Sequence, residues 1–167
     1  MIHIYTGNGK GKSTACFGLA LRAAGRGFKI YIGQFIKGGC FGEHFALRKI
    51  KNIKIEQFGK GCFIKKNPTK KDIDFAHNGL LKIQKIIQEK KYNMVILDEI
   101  NVALHFKLLK LKDVVGLIKN TPKNIELVLT GRYAPSDLIT LADYVTKMCE
   151  IKHPFQKNIL ARKGIEY

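Results

Sequence analysis

The sequence predicts an α/β protein in which a mostly parallel sheet carries helices on both faces. Strand-like and helix-like segments alternate along all 167 residues, and this rhythm is typical of parallel sheets built from βαβ units. The run Met94-Val95-Ile96-Leu97 is continuously apolar, as in strands that are covered on both sides. Because no linker or repeat interrupts the pattern, we expect a single three-layer domain over residues 1–167.

Six segments are predicted to be strands. The first, residues 2–5, is short and apolar and runs directly into a glycine-rich loop. The second, residues 28–34, leads to a break at Gly38-Gly39, and the carboxyl end of a strand is where open α/β sheets bind their ligands. The remaining strands are expected at residues 53–58, 94–97 and 125–129 and around Val145.

The helices are predicted from apolar residues that recur three and four positions apart. The longest helix carries such a stripe from Ile73 to Ile87, about five turns, which indicates one side that faces the core. The first helix follows the glycine-rich loop and ends at Gly25 and Gly27. Two further helices are marked by Leu108, Leu111, Val115 and Ile118 and by Leu138, Leu141 and Ala142.

The glycine-rich loop has the composition of a phosphate-binding loop, or P-loop. Its glycines let backbone N–H groups turn toward one anion, and the dipole of the following helix points to the same place. Lys12 would reach the β- and γ-phosphates, and Ser13 would bind Mg²⁺. Thr6 stands where the usual pattern has glycine, so the loop is non-standard. A tight turn without a ligand is the alternative, but the flanking strand and helix favour nucleotide binding by Gly7, Asn8, Gly9, Lys10, Gly11, Lys12, Ser13 and Thr14.

Two later strand ends deliver charged residues to the same edge of the sheet. Asp98 and Glu99 follow the apolar run at 94–97, and such a pair is expected to serve a metal ion, although it could instead cap the next helix. Arg132 follows the strand at 125–129 and can neutralise a triphosphate, the alternative being a surface arginine in a turn. The candidate catalytic residues are Lys12, Glu99 and Arg132, and the candidate metal ligands are Ser13, Asp98 and Glu99.

Composition narrows the class of protein. The net charge is +17, from 30 basic and 13 acidic residues, and such an excess attracts polyanions. The lysines are spread along the chain without an arginine-rich block, so we expect a solvated basic surface and no specific nucleic-acid site. The four cysteines show no Cys-x-x-Cys spacing, so zinc is not expected. No segment resembles a membrane span or a signal peptide, and we expect a cytoplasmic protein.

Several blocks of sequence together resemble one family. They are 7–13, Gln34-Phe35-Ile36-Lys37-Gly38, 97–104, 129–132 with Ala134-Pro135, 142–146, 152–155 and the terminal 161–167. In this order they resemble the P-loop family of ATP:corrinoid adenosyltransferases, across essentially the whole chain. The glycine that is shifted to Gly7 is also a feature of that family. The resemblance implies a three-layer fold similar to that of P-loop NTPases.

The resemblance also implies a reaction. In this family the cobalt of a Co(I) corrinoid attacks C5′ of ATP and the whole triphosphate leaves, in adenosylcobalamin biosynthesis or salvage. Lys12 and Arg132 would then contact a leaving group, and Ser13 with Asp98 or Glu99 would serve Mg²⁺ or Mn²⁺. Since Co(I) is already the nucleophile, no general base is required. The family further implies a homodimer and an electron-donating flavoprotein reductase. Because no segment resembles a membrane span, we expect no membrane partner.

The corrinoid face is the least complete part of the resemblance. Family members carry Phe-x-Trp after the third strand, where it packs on the lower face of the corrin and eases the reduction of Co(II). Phe63 matches the first aromatic residue, but Lys65 stands where tryptophan is frequent, and the chain has no tryptophan. Longer members also cover the corrinoid with an amino-terminal segment. This chain starts at its first strand, and we expect the cover to come from elsewhere, such as a partner subunit.

Two other hypotheses use the same loop. A generic P-loop ATPase or nucleoside kinase would hydrolyse ATP or transfer phosphorus, and a basic nucleic-acid-binding ATPase would respond to an oligonucleotide. The products separate them from an adenosyltransferase, which forms a 5′-deoxyadenosyl corrinoid and one triphosphate species instead of ADP and phosphate.

Overall fold

The computed structural model describes residues 1–39, 41–61 and 67–166. Its sheet has six strands in the spatial order third, second, fourth, fifth, first, sixth, and every neighbouring pair is parallel. The strands are β1 (Ile2–Thr6), β2 (Ile30–Lys37), β3 (Ile53–Gly61), β4 (Met94–Asp98), β5 (Glu126–Thr130) and β6 (Tyr144–Lys147). The predicted parallel α/β sheet is therefore confirmed.

Six α-helices and one 3₁₀ helix lie between and after these strands in the described part of the chain. They are α1 (Lys12–Ala24), α2 (Gly42–Leu47), α3 (Lys70–Gln88), α4 (Ile100–His105), α5 (Leu111–Lys119), α6 (Ser136–Leu141) and the 3₁₀ helix Pro154–Lys157. Helices α2, α4 and α6 span six residues each, too few for an apolar stripe to repeat. The sequence predicted α6 from Leu138 and Leu141 but did not predict α2 or α4. Leu108 precedes α5 and lies in the turn after α4, where its N–H donates to the Ala103 carbonyl oxygen at 2.9 Å.

Helices cover both faces of the sheet. Alternate residues of β4 point to opposite sides, with Ile96 in the core beneath α1 and Leu97 in the core beneath α3, α4 and α5. The second core is the larger of the two, and α3 contributes Ala76 and Ile83 to it, both fully buried. All five residues of β4 are buried, as the continuous apolar run predicts.

Sequence signals also account for the start of α3. Thr69 precedes the helix, and its hydroxyl accepts a hydrogen bond from the backbone N–H of Asp72 at 3.3 Å. The Asp72 carboxylate in turn accepts from the Thr69 N–H at 2.8 Å. This reciprocal capping satisfies two of the N–H groups that a helix leaves unpaired at its start.

The strand order brings the functional segments together. Because β5 lies between β4 and β1, the residues after all three strands meet at one edge of the sheet, and β2 delivers its own end beside β4. β6 pairs with β1 on the other side and is an edge strand with all four residues exposed. None of the helices in residues 1–39, 41–61 and 67–166 combines the length and apolar character that crossing a membrane requires.

Candidate nucleotide site

The glycine-rich loop begins one residue later than the usual pattern because Thr6 still belongs to β1. The Thr6 carbonyl oxygen accepts from the N–H of Met148 at 2.8 Å, which continues the pairing with the segment after β6. The chain turns at Gly7, where φ is +97° and a Cβ atom would lie 2.3 Å from the Met148 carbonyl oxygen. Only glycine combines this conformation with so close an approach. The shifted glycine thus follows from the packing of the loop against the segment after β6.

The loop does not aim all its N–H groups at one point. Gly9 N–H donates to the Met148 carbonyl oxygen at 2.8 Å, so this group holds the loop in place instead of facing an anion. The first turn of α1 remains suited to an anion. Gly11 precedes the helix with φ +112°, and no side chain in the described segments caps α1 or places a carboxylate in its first turn.

Lys12 is the first residue of α1 and is buried. Its Nζ donates to the Gly9 carbonyl oxygen at 2.7 Å, within the loop itself. Burial lowers the pKa of Lys12, and the charge of Arg132 adds to this effect, whereas Glu99 opposes it. An anion at the helix start would offset both unfavourable contributions, so the surroundings of Lys12 suit a negatively charged ligand.

Asp98 is fully buried at the end of β4, and two donors reach each of its carboxylate oxygens. Oδ1 accepts from Ser13 Oγ at 2.8 Å and from Thr130 Oγ1 at 2.7 Å. Oδ2 accepts from Gln34 Nε2 at 2.9 Å and from Lys37 Nζ at 3.0 Å. Burial would raise the pKa of Asp98, but Lys37 and the hydrogen bonds outweigh it and hold the pKa below its usual value. The carboxylate is therefore ionised, and its four acceptor positions are filled.

A histidine orients one of these donors. Because Gln34 turns its amide nitrogen to Asp98, its Oε1 faces His44 and accepts from Nε2–H. His44 lies in α2 and is buried, and burial lowers its pKa. The lowered pKa favours a neutral imidazole, and the contact with Gln34 favours the tautomer with its proton on Nε2. A short helix that the sequence did not predict thus supports the centre of the site.

Glu99 takes a left-handed backbone conformation between β4 and α4, with φ +62°. Its N–H donates to Thr130 Oγ1 at 2.9 Å, which fixes the turn. Burial raises the pKa of Glu99, and so does Asp98, against the charges of Lys37, Lys12 and Arg132. A strained turn and a destabilised carboxylate at the same residue are typical of functional sites.

A cavity of about 450 Å³ opens beside the loop. Asn8 lines it on the loop side, Arg132 and Tyr133 line it after β5, and Lys147 and Glu150 line it after β6. Arg132 is exposed and acts electrostatically on both Lys12 and Glu99. The predicted catalytic residues therefore share one neighbourhood, next to a space that can hold part of a charged substrate.

The remaining predicted site residues either lie at the surface or fall outside the described residues. Thr14 is exposed in the first turn of α1, and Lys10 is exposed in the loop, where its Nζ donates to Glu166 Oε1 at 2.8 Å. Phe63 and Lys65 lie outside the described residues. Within residues 1–39, 41–61 and 67–166 no group of three or more His, Cys, Asp or Glu side chains is placed to hold a metal ion.

Comparison with known proteins decides the family. The family model described as "ATP:corrinoid adenosyltransferase BtuR/CobO/CobP" matches residues 1–167. The chain belongs to this family. A corrinoid adenosyltransferase of Sinorhizobium sp is 37% identical over 171 residues, which cover 100% of this chain and 80% of the relative. A corrinoid adenosyltransferase of Pseudomonas aeruginosa is 35% identical over 166 residues, which cover 98% of this chain and 82% of the relative.

Family membership makes this chain an enzyme, a transferase. A solved structure of similar fold is the KaiC-like protein PH0186 from Pyrococcus horikoshii OT3, with a TM-score of 0.56 and 15% sequence identity. The similarity covers 91% of this chain and 74% of that chain. At this identity it supports the fold alone, and it confirms the predicted P-loop NTPase-like architecture of the adenosyltransferase.

The sequence missed part of the environment of Asp98 in this adenosyltransferase. Gln34 and Lys37 lie in the family block at the end of β2, and Thr130 ends β5, but none of them had been assigned a role. Their position at strand ends was the available signal. His44 had no such signal, because a lone histidine in a short helix has no recognisable spacing.

Proposed function

We propose that this adenosyltransferase transfers the 5′-deoxyadenosyl group of ATP to the cobalt of a Co(I) corrinoid. The family match over residues 1–167 carries the proposal. An electron pair of Co(I) forms the new bond to C5′, the C5′–O bond breaks, and its electron pair leaves on the triphosphate. No proton moves in this displacement, so the site needs cations at the leaving group more than it needs a base.

The geometry supports electrostatic binding of a negatively charged leaving group. Lys12 at the start of α1 interacts electrostatically with Arg132, and Arg132 lines the 450 Å³ cavity. Charge on the departing oxygens grows in the transition state, so preorganised donors stabilise it more than they stabilise bound ATP. Gly9, through its hydrogen bond to Met148, and Gly11, through its positive φ, hold the loop in shape, and Asn8 lines the cavity.

The residues present fit a hard divalent cation such as Mg²⁺ or Mn²⁺, because the available ligands are oxygens. Ser13 Oγ donates to Asp98 and keeps lone pairs for a metal, and Glu99 supplies a carboxylate nearby. Because its four acceptor positions are filled, Asp98 would contact the ion directly only after one of its donors leaves. When bound with ATP, the ion would neutralise charge on the triphosphate.

Other features support the remaining proposals about partners. The exposed edge strand β6 and the exposed side chains of Phe155 and Leu160 after it favour a homodimer. The net charge of +17 favours a negatively charged electron carrier, such as a flavoprotein reductase, to supply Co(I). The proposed setting is the cytoplasm, and the proposed unit is one domain over residues 1–167.

The experiment mixes ATP, Mg²⁺ and chemically reduced cob(I)alamin with the protein and follows the absorption band of Co(I). We expect loss of the band, adenosylcobalamin and one triphosphate species per turnover. Formation of ADP and phosphate at a rate indifferent to corrinoid would instead favour a generic P-loop ATPase. Turnover that an oligonucleotide stimulates would favour the nucleic-acid-dependent alternative. When a variant that removes a positive charge from the site is assayed, Lys54→Gln is a suitable control for the loss of charge. Lys54 is an exposed lysine of β3 paired with Glu56.

A further inference from the structure

The end of β2 is distorted in a way that aims one lysine at the site. In a regular strand, neighbouring positions alternate between faces, so Lys37 would point away from the face that Gln34 occupies. The register instead shifts between Phe35 and Lys37, and Ile36 has φ +68°. Both Gln34 Nε2 and Lys37 Nζ consequently reach Asp98 Oδ2. The irregularity redirects the side chain of Lys37 toward Asp98.

This distortion is costly. A β-branched residue rarely adopts positive φ, and such strain persists only when the surroundings enforce it. β3 makes room for it through Gly59, where a Cβ atom would lie 2.2 Å from the carbonyl carbon of Ile36. The fold therefore accepts strain at Ile36 and requires glycine at position 59 to hold Lys37 in its place. Strain of this kind, next to a functional carboxylate, indicates a role for Lys37 beyond packing.

The ammonium group of Lys37 occupies a position beside Asp98 where a metal ion could otherwise bind. Among the four donors to Asp98 it is the one that carries a charge, and its side chain is 17% exposed whereas Asp98 is 0% exposed. Glu43 provides a second carboxylate 3.7 Å from Lys37 Nζ, and the ring of Phe41 lies 5.6 Å away. Lys37 can therefore leave Asp98 and still keep a partner.

We propose that Lys37 excludes a free divalent cation from Asp98 and Ser13 and yields to it only when ATP arrives with it. The inference rests on the proposed function, because it concerns the metal that accompanies ATP. A cation without ATP meets an ammonium 3.0 Å from Asp98 Oδ2, and like charges in a buried site repel strongly. The triphosphate brings enough negative charge to offset this repulsion, and Lys37 moves toward Glu43. Lys37 is thus a positioning residue that couples metal entry to nucleotide binding.

The test measures Mn²⁺ affinity by electron paramagnetic resonance, with and without ATP, and needs no corrinoid. Without ATP, Lys37→Gln should bind Mn²⁺ at least about tenfold more tightly than the wild type, because it keeps an N–H donor for Asp98 but removes the charge. Lys37→Arg should bind as weakly as the wild type, and Lys54→Gln should remain within about twofold of it, since exposed distant charges are screened. With ATP present, the difference between wild type and Lys37→Gln should disappear.

Several results would overturn the proposal. Equal Mn²⁺ affinity of Lys37→Gln and the wild type without ATP would do so, and so would an equal gain in Lys54→Gln. Glu43→Gln offers a second route, because it removes the partner proposed for Lys37. It should weaken Mn²⁺ binding in the presence of ATP, and an unchanged affinity would contradict the movement of Lys37. The cob(I)alamin assay reports separately on the proposed function, so its failure and the failure of the Mn²⁺ test can be told apart.

Discussion

Gly9→Ala tests whether the phosphate-binding loop depends on the segment after β6. A Cβ atom at this position would lie 2.6 Å from the Cys149 carbonyl oxygen and 2.8 Å from its carbonyl carbon. Both atoms belong to backbone, so no side chain can rotate away to make room. The φ angle of Gly9 does not lie in the left-handed region, and the expected effect is therefore steric.

The contacts set the size of the effect. Overpacking of this kind costs about 1–3 kcal/mol. Displacement of Met148 also weakens its hydrogen bond from Gly9, 2.8 Å long, which contributes about 0.5–1.5 kcal/mol. We expect Gly9→Ala to lower the free energy of unfolding by about 2–4 kcal/mol and to weaken ATP binding, since the loop must move.

The assay is urea unfolding followed by circular dichroism, together with ATP titration by calorimetry. Gly18→Ala is the matched control, because Gly18 lies inside α1 and its Cβ atom would meet nothing within 4 Å. This control should stabilise the protein by about 0.5–1 kcal/mol, the usual gain for alanine over glycine in a helix. Unchanged stability and ATP affinity in Gly9→Ala would show that the contact with Met148 and Cys149 does not hold the loop.

Three further substitutions test the charged groups. Glu99→Gln should raise the free energy of unfolding at neutral pH by about 0.5–2 kcal/mol, because burial and Asp98 raise the pKa of Glu99. A raised pKa in the folded state favours the protonated carboxyl, so the gain should shrink in urea titrations as pH falls through that pKa, and a constant gain would contradict this cause. Lys12→Ala should lower kcat/KM for adenosyl transfer by about 10²–10³, and a rate like that of the wild type would remove Lys12 from the mechanism. Glu166→Gln frees Lys10, whose contact holds the pKa of Glu166 at about 2. ATP affinity should rise at low ionic strength and the difference should vanish in high salt, while an equal rise at both would argue against electrostatics.

Most elements that the sequence predicted have a pattern that repeats over several turns or fills a whole strand. The stripe from Ile73 to Ile87 lies within α3, and the apolar run at 94–97 forms most of β4. Six residues give a weak signal, and of the three described α-helices of this length the sequence predicted α6 alone. α2 and α4 are held by tertiary contacts, including those of His44 and Asn101. Helices of this length draw their stability from the surrounding fold and not from their own sequence.

The residues of the candidate site also divide into those that the sequence could predict and those that it could not. The loop, Asp98, Glu99 and Arg132 could be predicted because motif and strand end coincide. Lys37 could not, because strict alternation along β2 assigns it to the wrong face, and the positive φ of Ile36 is invisible in the sequence. A β-branched residue such as Ile36 is typical of a regular strand, so its presence does not indicate a left-handed conformation.

The four donors to Asp98 also have a consequence for folding. They lie 85, 64, 61 and 32 positions from it in the chain, and they come from α1, β2 and β5. Contacts of such sequence separation form late, because long loops must close before they contribute. The surroundings of Asp98 therefore cannot assemble in a fragment that lacks α1, β2 or β5, and we expect them to be absent from early intermediates. Recovery of ATP binding after dilution from denaturant would report the packing of these elements around β4 and should lag behind the recovery of helical signal.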